Sequence, residues 1–249
     1  MKYGICPISI APLRAEPRDT SELVSQVLYG EHFKLIETRK KWSKIRLAHD
    51  KYEGWLDNKQ LIEIESDQYH EIDRAEKQYC RDLISHVTHA NRTLSILTIG
   101  AQVSTASFLA DVFNPDIKQE PSPKDQIIDN ALLFLNAPYL WGGRSPLGID
   151  CSGFTQLVYR LSGYSLLRDA SQQATQGEVL SFIEEAEQGD LAFFDNAEGN
   201  IVHVGIIMND NYIIHAHGKV RIDRLDQSGI FNVEQHAHTH KLRVIKKII

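Results

Sequence analysis

Cysteine is scarce in this 249-residue chain: Cys6, Cys80 and Cys151 are odd in number and far apart. That excludes a disulfide framework, and the lack of any CxxC pair excludes a zinc knuckle. No stretch reaches about 18 apolar residues, the length a membrane-spanning helix needs. The opening residues, MKYGICPISIAPLRAEPRD, hold no long apolar run, because Pro7, Pro12 and Arg14 interrupt it. The chain therefore reads as lacking both a secretory signal and a membrane anchor, which predicts a cytoplasmic protein without a membrane partner. Basic blocks are missing too. With 27 Lys and Arg against 33 Asp and Glu, the formal charge is -6, and nothing offers the phosphate neutralisation that nucleic acid binding rests on. Internal repeats and low-complexity segments are also absent.

What is present is an ordinary globular composition, 42% hydrophobic and 24% charged, long enough for one large domain or two small ones. Over residues 1–65 the segments ISIAPLR, SELVSQVLYG, EHFKLIETRK, WSKIRLA and GWLDNKQLIEI carry short or alternating apolar runs between turn residues. Five strands at that spacing predict a small β-barrel. Residues 66–90 have helix-like apolar spacing behind a Ser66-Asp67 cap and predict a helical connector. TLSILTIGAQV, within 91–112, predicts one or two strands, and NPDIKQEPSPKD (114–125), with three prolines, predicts a linker.

From 125 onwards the pattern changes. Ile127, Ile128, Ala131, Leu132 and Leu135 predict an amphipathic helix over 125–138. Phe154, Leu157, Val158 and Leu161 predict a second over 151–163, stopped by Gly163. Strand-like segments follow at 190–195, 201–208, 212–222 and 241–248. Two helices followed by a run of strands indicate an α+β domain over 125–249.

Cys151 opens the second helix. A thiol there faces unpaired backbone N–H groups and the positive end of the helix dipole, which favour thiolate, and its own N–H points at a developing oxyanion. His203 lies in IVHVGIIM, where Val202, Val204, Ile206 and Met208 alternate to the opposite face. The Asn209-Asp210-Asn211 turn folds YIIHAHG back beside it, so His215 or His217 can orient the His203 ring as the third member of a triad does. His236, His238 and His240 in HAHTH would share one strand face, but no acidic or sulfur ligand lies nearby, so no metal and no cofactor are expected.

PYLWGGRSPLGIDCSGFTQLVY (138–159), GDLAFFD (189–195) and HVGIIMNDNYIIHA (203–216) resemble, in that order, the NlpC/P60 family of bacterial cell-wall cysteine peptidases. The resemblance covers about residues 125–248 and implies a papain-like α+β fold. It implies Cys151 as nucleophile, His203 as general base, His215 rather than His217 as the orienting residue, and Tyr139 as a hydroxyl donor to the oxyanion. QVLYGEHF (26–33), KWSKIRL (41–47) and KYEGWL (51–56) resemble the bacterial SH3-like barrel that precedes this domain in one subgroup. Residues 66–112 are expected as a connector with a second, degenerate barrel-like piece. In that subgroup the barrel closes one end of the cleft. The implied substrate is then a short muropeptide with a free N-terminal L-Ala, cut between γ-D-Glu and the diamino acid (Lys or diaminopimelate). Glu31 and Tyr52 stand at the matching points of the barrel motifs as candidate closing contacts. LLRDASQQ (166–173) resembles the family's substrate-facing PRDASQQ segment, with Leu167 in place of Pro. There Arg168 would grip the α-carboxylate that a γ-linked D-Glu leaves free, Asp169 would accept from the substrate ammonium, and Asp150 and Ser152 would flank the nucleophile. Two other functions fit parts of the pattern: an amidase or acyltransferase on the same fold, which would have no use for Arg168 and Asp169, and a non-catalytic wall-binding protein working through its barrel.

Overall fold

The computed structural model describes residues 2–114 and 126–249. The linker expected over 114–125 lies outside them, apart from Asn114. The described residues form two compact units, residues 2–114 with Trp141–Pro146, and residues 126–140 with Leu147–Ile249.

The first unit is a small barrel built on a seven-stranded antiparallel sheet. Its strands are β1 (Lys2–Ile5), β2 (Ile10–Arg14), β3 (Leu23–Leu28), β4 (His32–Thr38), β5 (Trp42–Leu47), β6 (Glu53–Asp57) and β7 (Ile62–Ile64), in the order β3-β2-β6-β5-β4-β1-β7. Alternate residues turn inward, so Ala11, Leu13, Val27, Phe33, Ile45, Leu47 and Leu56 form one core. Burying each large side chain stabilises the unit by roughly 1.5–3 kcal/mol. Two of the seven strands, β1 and β7, go beyond the five that the sequence pattern predicts, because each is too short to show a period.

Helix α1 (Ser66–Arg74) is much shorter than the connector expected over 66–90. Its cap is Glu65, reciprocated by Gln68, and Ser66 is already helical. ISHVTH is a strand instead, β8 (Ile84–His89), which pairs with β9 (Leu94–Thr98) and β10 (Asp111–Val112) in the order β10-β8-β9. Inward-facing Val87 and Leu97 join Tyr29 and Cys80 in a second core, and that burial outweighs the helical spacing.

Trp141–Pro146 is the last part of this unit. The Trp141 indole N–H donates to Glu22 at 2.7 Å. Arg144, fully buried, donates to the Gln26 carbonyl at 2.7 Å and to the two Glu31 oxygens at 3.0 and 3.1 Å. Glu31 also accepts from the Leu28 N–H at 2.9 Å. The turn that presents it needs Gly30, whose φ is 78° and whose Cβ, if it had one, would sit 2.1 Å from the Gln102 carbonyl.

The second unit packs two helices, α2 (Gln126–Leu132) and α3 (Cys151–Leu161), with the short α4 (Ala170–Gln173), against a β-sheet. The strands are β11 (Glu178–Leu180), β12 (Leu191–Asp195), β13 (Ile201–Met208), β14 (Tyr212–His217), β15 (Lys219–Asp226), β16 (Gly229–Asn232) and β17 (Ala237–Lys247). Their order is β11-β17-β12-β13-β14-β15-β16, and β16 also pairs with β17, which closes the sheet on itself. Phe194, Ile207, Ile213, Ile230 and Ile245 form a core there, while every residue of α3 is buried. Helix α2 stops six residues before the expected end, and the chain turns through Asn136 at φ 69° before Pro138.

Candidate active site

Helix α3 begins at Cys151 because Asp150 caps it: extended at φ -93°, ψ 175°, it accepts the Gly153 N–H at 2.7 Å. The Cys151 thiolate is the form that the backbone N–H groups of Val204 and Ser152 favour, and Val204 is the neighbour of His203 on β13. The antiparallel register sets Gly205 opposite His215 on β14. The rings of His203 and His215 meet diagonally, Nε2 to Nδ1, at 2.8 Å. That meeting depends on Gly205. A Cβ there would lie 2.9 Å from the His215 Cβ and 2.7 Å from Ile213 Cδ1.

Beyond His215 the line continues. Its Nε2 meets Asp223 Oδ2 on β15 at 3.0 Å, and Arg221 clamps the same carboxylate from Nε at 2.7 Å and Nη2 at 3.0 Å. His240 of β17 stacks on the His203 ring, with centroids 4.1 Å apart at 25°. Phe194, the cross-strand partner of His203, closes the apolar side of that ring.

The electrostatics set a neutral resting pair. Burial pushes the Cys151 thiol up to about 12, and Asp150 adds to the rise against the opposing N–H groups and Arg168. Burial also holds His203 well below its ordinary value, with His215, His240 and His217 adding to the fall. The thiolate expected from the helix start is thus outweighed by desolvation, and the thiol proton leaves only when a base takes it. Tyr139 keeps its hydroxyl proton, since burial, with the Cys151 and Asp150 charges adding to it, lifts it to about 12. A protonated hydroxyl near the thiol is an oxyanion donor.

A model of the NlpC/P60 family matches residues 136–239, the span that holds Cys151, His203 and His215. The chain carries an NlpC/P60 domain. Ahead of it, residues 13–61 match the bacterial dipeptidyl-peptidase SH3 domain. Dipeptidyl-peptidase 6 of Lysinibacillus sphaericus is 26% identical over 252 residues, 88% of this chain and 90% of that protein. The γ-D-glutamyl-L-lysine dipeptidyl-peptidase of Bacillus cereus is 28% identical over 230 residues, 80% of this chain and 68% of that protein. Its counterpart in Bacillus subtilis is 37% identical over 102 residues, 40% of this chain and about a third (34%) of that protein. A solved NlpC/P60 family protein from Bacillus cereus shares the fold, with a TM-score of 0.77 over 99% of both chains at 19% identity. These likenesses support NlpC/P60 peptidase activity for the domain. Among the described residues no helix is long and apolar enough to cross a membrane.

The NlpC/P60 unit brings together Cys151, His203, His215, Tyr139, Asp150, Ser152 and Arg168. Arg168 differs from the expectation. Only 1% exposed, it donates to both Asp150 oxygens at 3.0 and 2.7 Å and to Ser152 Oγ at 2.9 Å. Its charge compensates the buried Asp150 carboxylate instead of standing open to a carboxylate from outside. Asp169 caps α4 in a reciprocal box with Gln172. Glu31 and Tyr52 belong to the SH3 unit: Glu31 is buried in its ion pair with Arg144, and Tyr52 packs half-buried on the barrel core. The three histidines of HAHTH do not share a face. His236 precedes the strand at φ 52°, and a bulge at Thr239 sets His238 beside Phe231 but His240 opposite Ile230, towards His203. His240, Gly205, Asp223 and Arg221, which pack on or extend the His203–His215 line, and Arg144, which pairs with Glu31, stand outside the residues that the motifs single out. The sequence did carry two signals, a glycine on the histidine face of IVHVGIIM and the Arg-x-Asp pair two residues apart in β15.

Proposed function

We propose that this protein hydrolyses the bond between γ-D-Glu and a diamino acid, Lys or diaminopimelate, in short peptidoglycan peptides with a free N-terminal L-Ala. The reading rests on the line His203–His215, 2.8 Å between ring nitrogens, set beside the helix-start thiol of Cys151. The γ-D-glutamyl-L-lysine bond is in the names of the Bacillus relatives, while the diaminopimelate alternative and the free N-terminal L-Ala follow from the family resemblance. In the first step His203 takes the thiol proton as Cys151 Sγ attacks the γ-carbonyl, and the Cys151 N–H and Tyr139 hydroxyl donate to the oxyanion. His203 then gives its proton to the departing amine, leaving a γ-glutamyl thioester. Water, deprotonated by the same imidazole, releases the dipeptide. The pH range of this cycle follows from the neutral resting pair, since the base is bare before the thiol ionises. Asp150, Ser152 and Asp169 form the polar wall offered to the substrate, with Arg168 bracing Asp150. In this reading the enzyme works on released wall peptides in the cytoplasm.

The test is incubation with L-Ala-γ-D-Glu-diaminopimelate and the Lys analogue, followed by mass spectrometry. L-Ala-D-Glu is the expected product. Cleavage of intact peptidoglycan with both tripeptides untouched overturns the reading.

A further inference from the structure

Beyond His215 the hydrogen-bond line ends on a carboxylate, and that end determines the rest. The β14–β15 register pairs His215 with Arg221 and Ile213 with Asp223. Arg221 and Asp223 are two apart on one strand and share a face. Asp223 is 2% exposed and Arg221 grips both its oxygens. We infer that Asp223, held by Arg221, is a positioning residue that fixes the tautomer of both histidines and so selects Nδ1 of His203 as the atom that receives the thiol proton. The inference deepens the proposed cysteine chemistry and depends on it only for its catalytic consequence.

Donor and acceptor counts force the assignment. An ionised carboxylate only accepts, so the 3.0 Å contact requires a proton on His215 Nε2. A neutral imidazole has one N–H, which leaves His215 Nδ1 bare. Nδ1 then accepts from His203 Nε2 across 2.8 Å, and His203 Nδ1 is left without a proton. Among the described residues that Nδ1 has no hydrogen-bond partner. When the thiol S–H bond breaks, its electron pair stays on sulfur and the proton forms the Nδ1–H bond. The resulting imidazolium is compensated through His215 by the Asp223 charge. With the opposite tautomers His203 Nδ1 would already carry a proton and could not act as base. The other titratable groups facing the line are His217, His240 and, on the far side of Arg221 at 3.1 Å, Glu234.

Long-range ¹H–¹⁵N correlation of the ring nitrogens tests this directly in the Cys151→Ala protein, where no thiolate–imidazolium pair can form. Above pH 7, with both rings neutral, His203 and His215 are both expected as Nε2–H tautomers. An Nδ1–H tautomer at either residue overturns the inference. Asp223→Asn is expected to lower kcat about 10- to 100-fold with KM within about twofold, to scramble the His215 tautomer, and to be partly rescued in Asp223→Glu. A kcat within twofold of wild type, or a loss of kcat with both tautomers unchanged, also overturns it. If neither tripeptide is cleaved by the wild-type protein, the proposed function fails while the tautomers still decide this inference.

Discussion

Replacing Arg168 with Met leaves the Asp150 carboxylate, only 6% exposed, without its bidentate partner. Among the donors that stay with it are the Gly153 N–H at 2.7 Å and the Ser152 hydroxyl at 3.3 Å, both neutral. Stripping one member from a buried pair costs about 3–5 kcal/mol, because the other charge stays desolvated. At a urea dependence of about 2 kcal/mol per molar, the unfolding midpoint of the NlpC/P60 unit should fall by about 2 M. The double variant Asp150→Asn/Arg168→Met keeps an amide cap on α3 and no buried charge, so it should recover to within about 2 kcal/mol of wild type. Urea titration followed by far-ultraviolet circular dichroism measures both. Tryptophan fluorescence does not, since Trp42, Trp55 and Trp141 all lie in the other unit. A loss under about 1 kcal/mol in Arg168→Met would show that the pair behaves as an exposed bridge, and a double variant no better than the single would show that the uncompensated charge is not the cause. Either result refutes the account given of Arg168.

Gly205→Ala inserts a Cβ 2.9 Å from that of His215 and should cost about 1–3 kcal/mol of stability, with about 100-fold in kcat; wild-type kcat in a folded variant would count against the close-approach argument. Because burial raises the Cys151 thiol to about 12, iodoacetamide labelling of free enzyme should be slow at pH 7 and still climbing above pH 9, and a plateau below pH 8 would contradict the neutral resting pair. His32, 3% exposed, is held by burial at about 4, below its ordinary 6.5. The unfolded chain therefore binds that proton first as pH falls. Stability should drop by up to about 3 kcal/mol between pH 6.5 and 4, and His32→Gln should flatten that part of the pH–stability curve. His240→Ala, which removes the ring stacked 4.1 Å from His203, should lower kcat and leave KM nearly unchanged, as assayed on the tripeptides.

The histidine hairpin was legible because period-two alternation fixes which residues share a face, and a short Asn-Asp-Asn turn fixes what lies opposite. Cys151 was legible for a similar reason: the cap and the apolar spacing of α3 are local. The ionisation of Cys151 was not, because it depends on how much protein covers the thiol, a sum over contacts distant in sequence. Arg168 shows the same limit. A basic residue beside an acidic one reads as surface chemistry until the fold seals it against Asp150. The bulge at Thr239 is subtler still, since one extra residue reverses the face of every side chain beyond it, and strict alternation had put His238 and His240 together. In the first unit, ISHVTH has apolar spacing that suits helix or strand, and only the pairing with β9 decides between them.

Trp141–Pro146 carries a practical consequence for anyone cutting this gene into modules. The hexapeptide lies inside the NlpC/P60 sequence match, yet its Arg144 neutralises Glu31 in the SH3 unit. A barrel expressed alone would lose the guanidinium that both Glu31 oxygens accept from, and should be less stable for it. The boundary that sequence comparison draws is therefore not a boundary of folding stability. Exchanging one barrel for another in this architecture would require the six residues to travel with it.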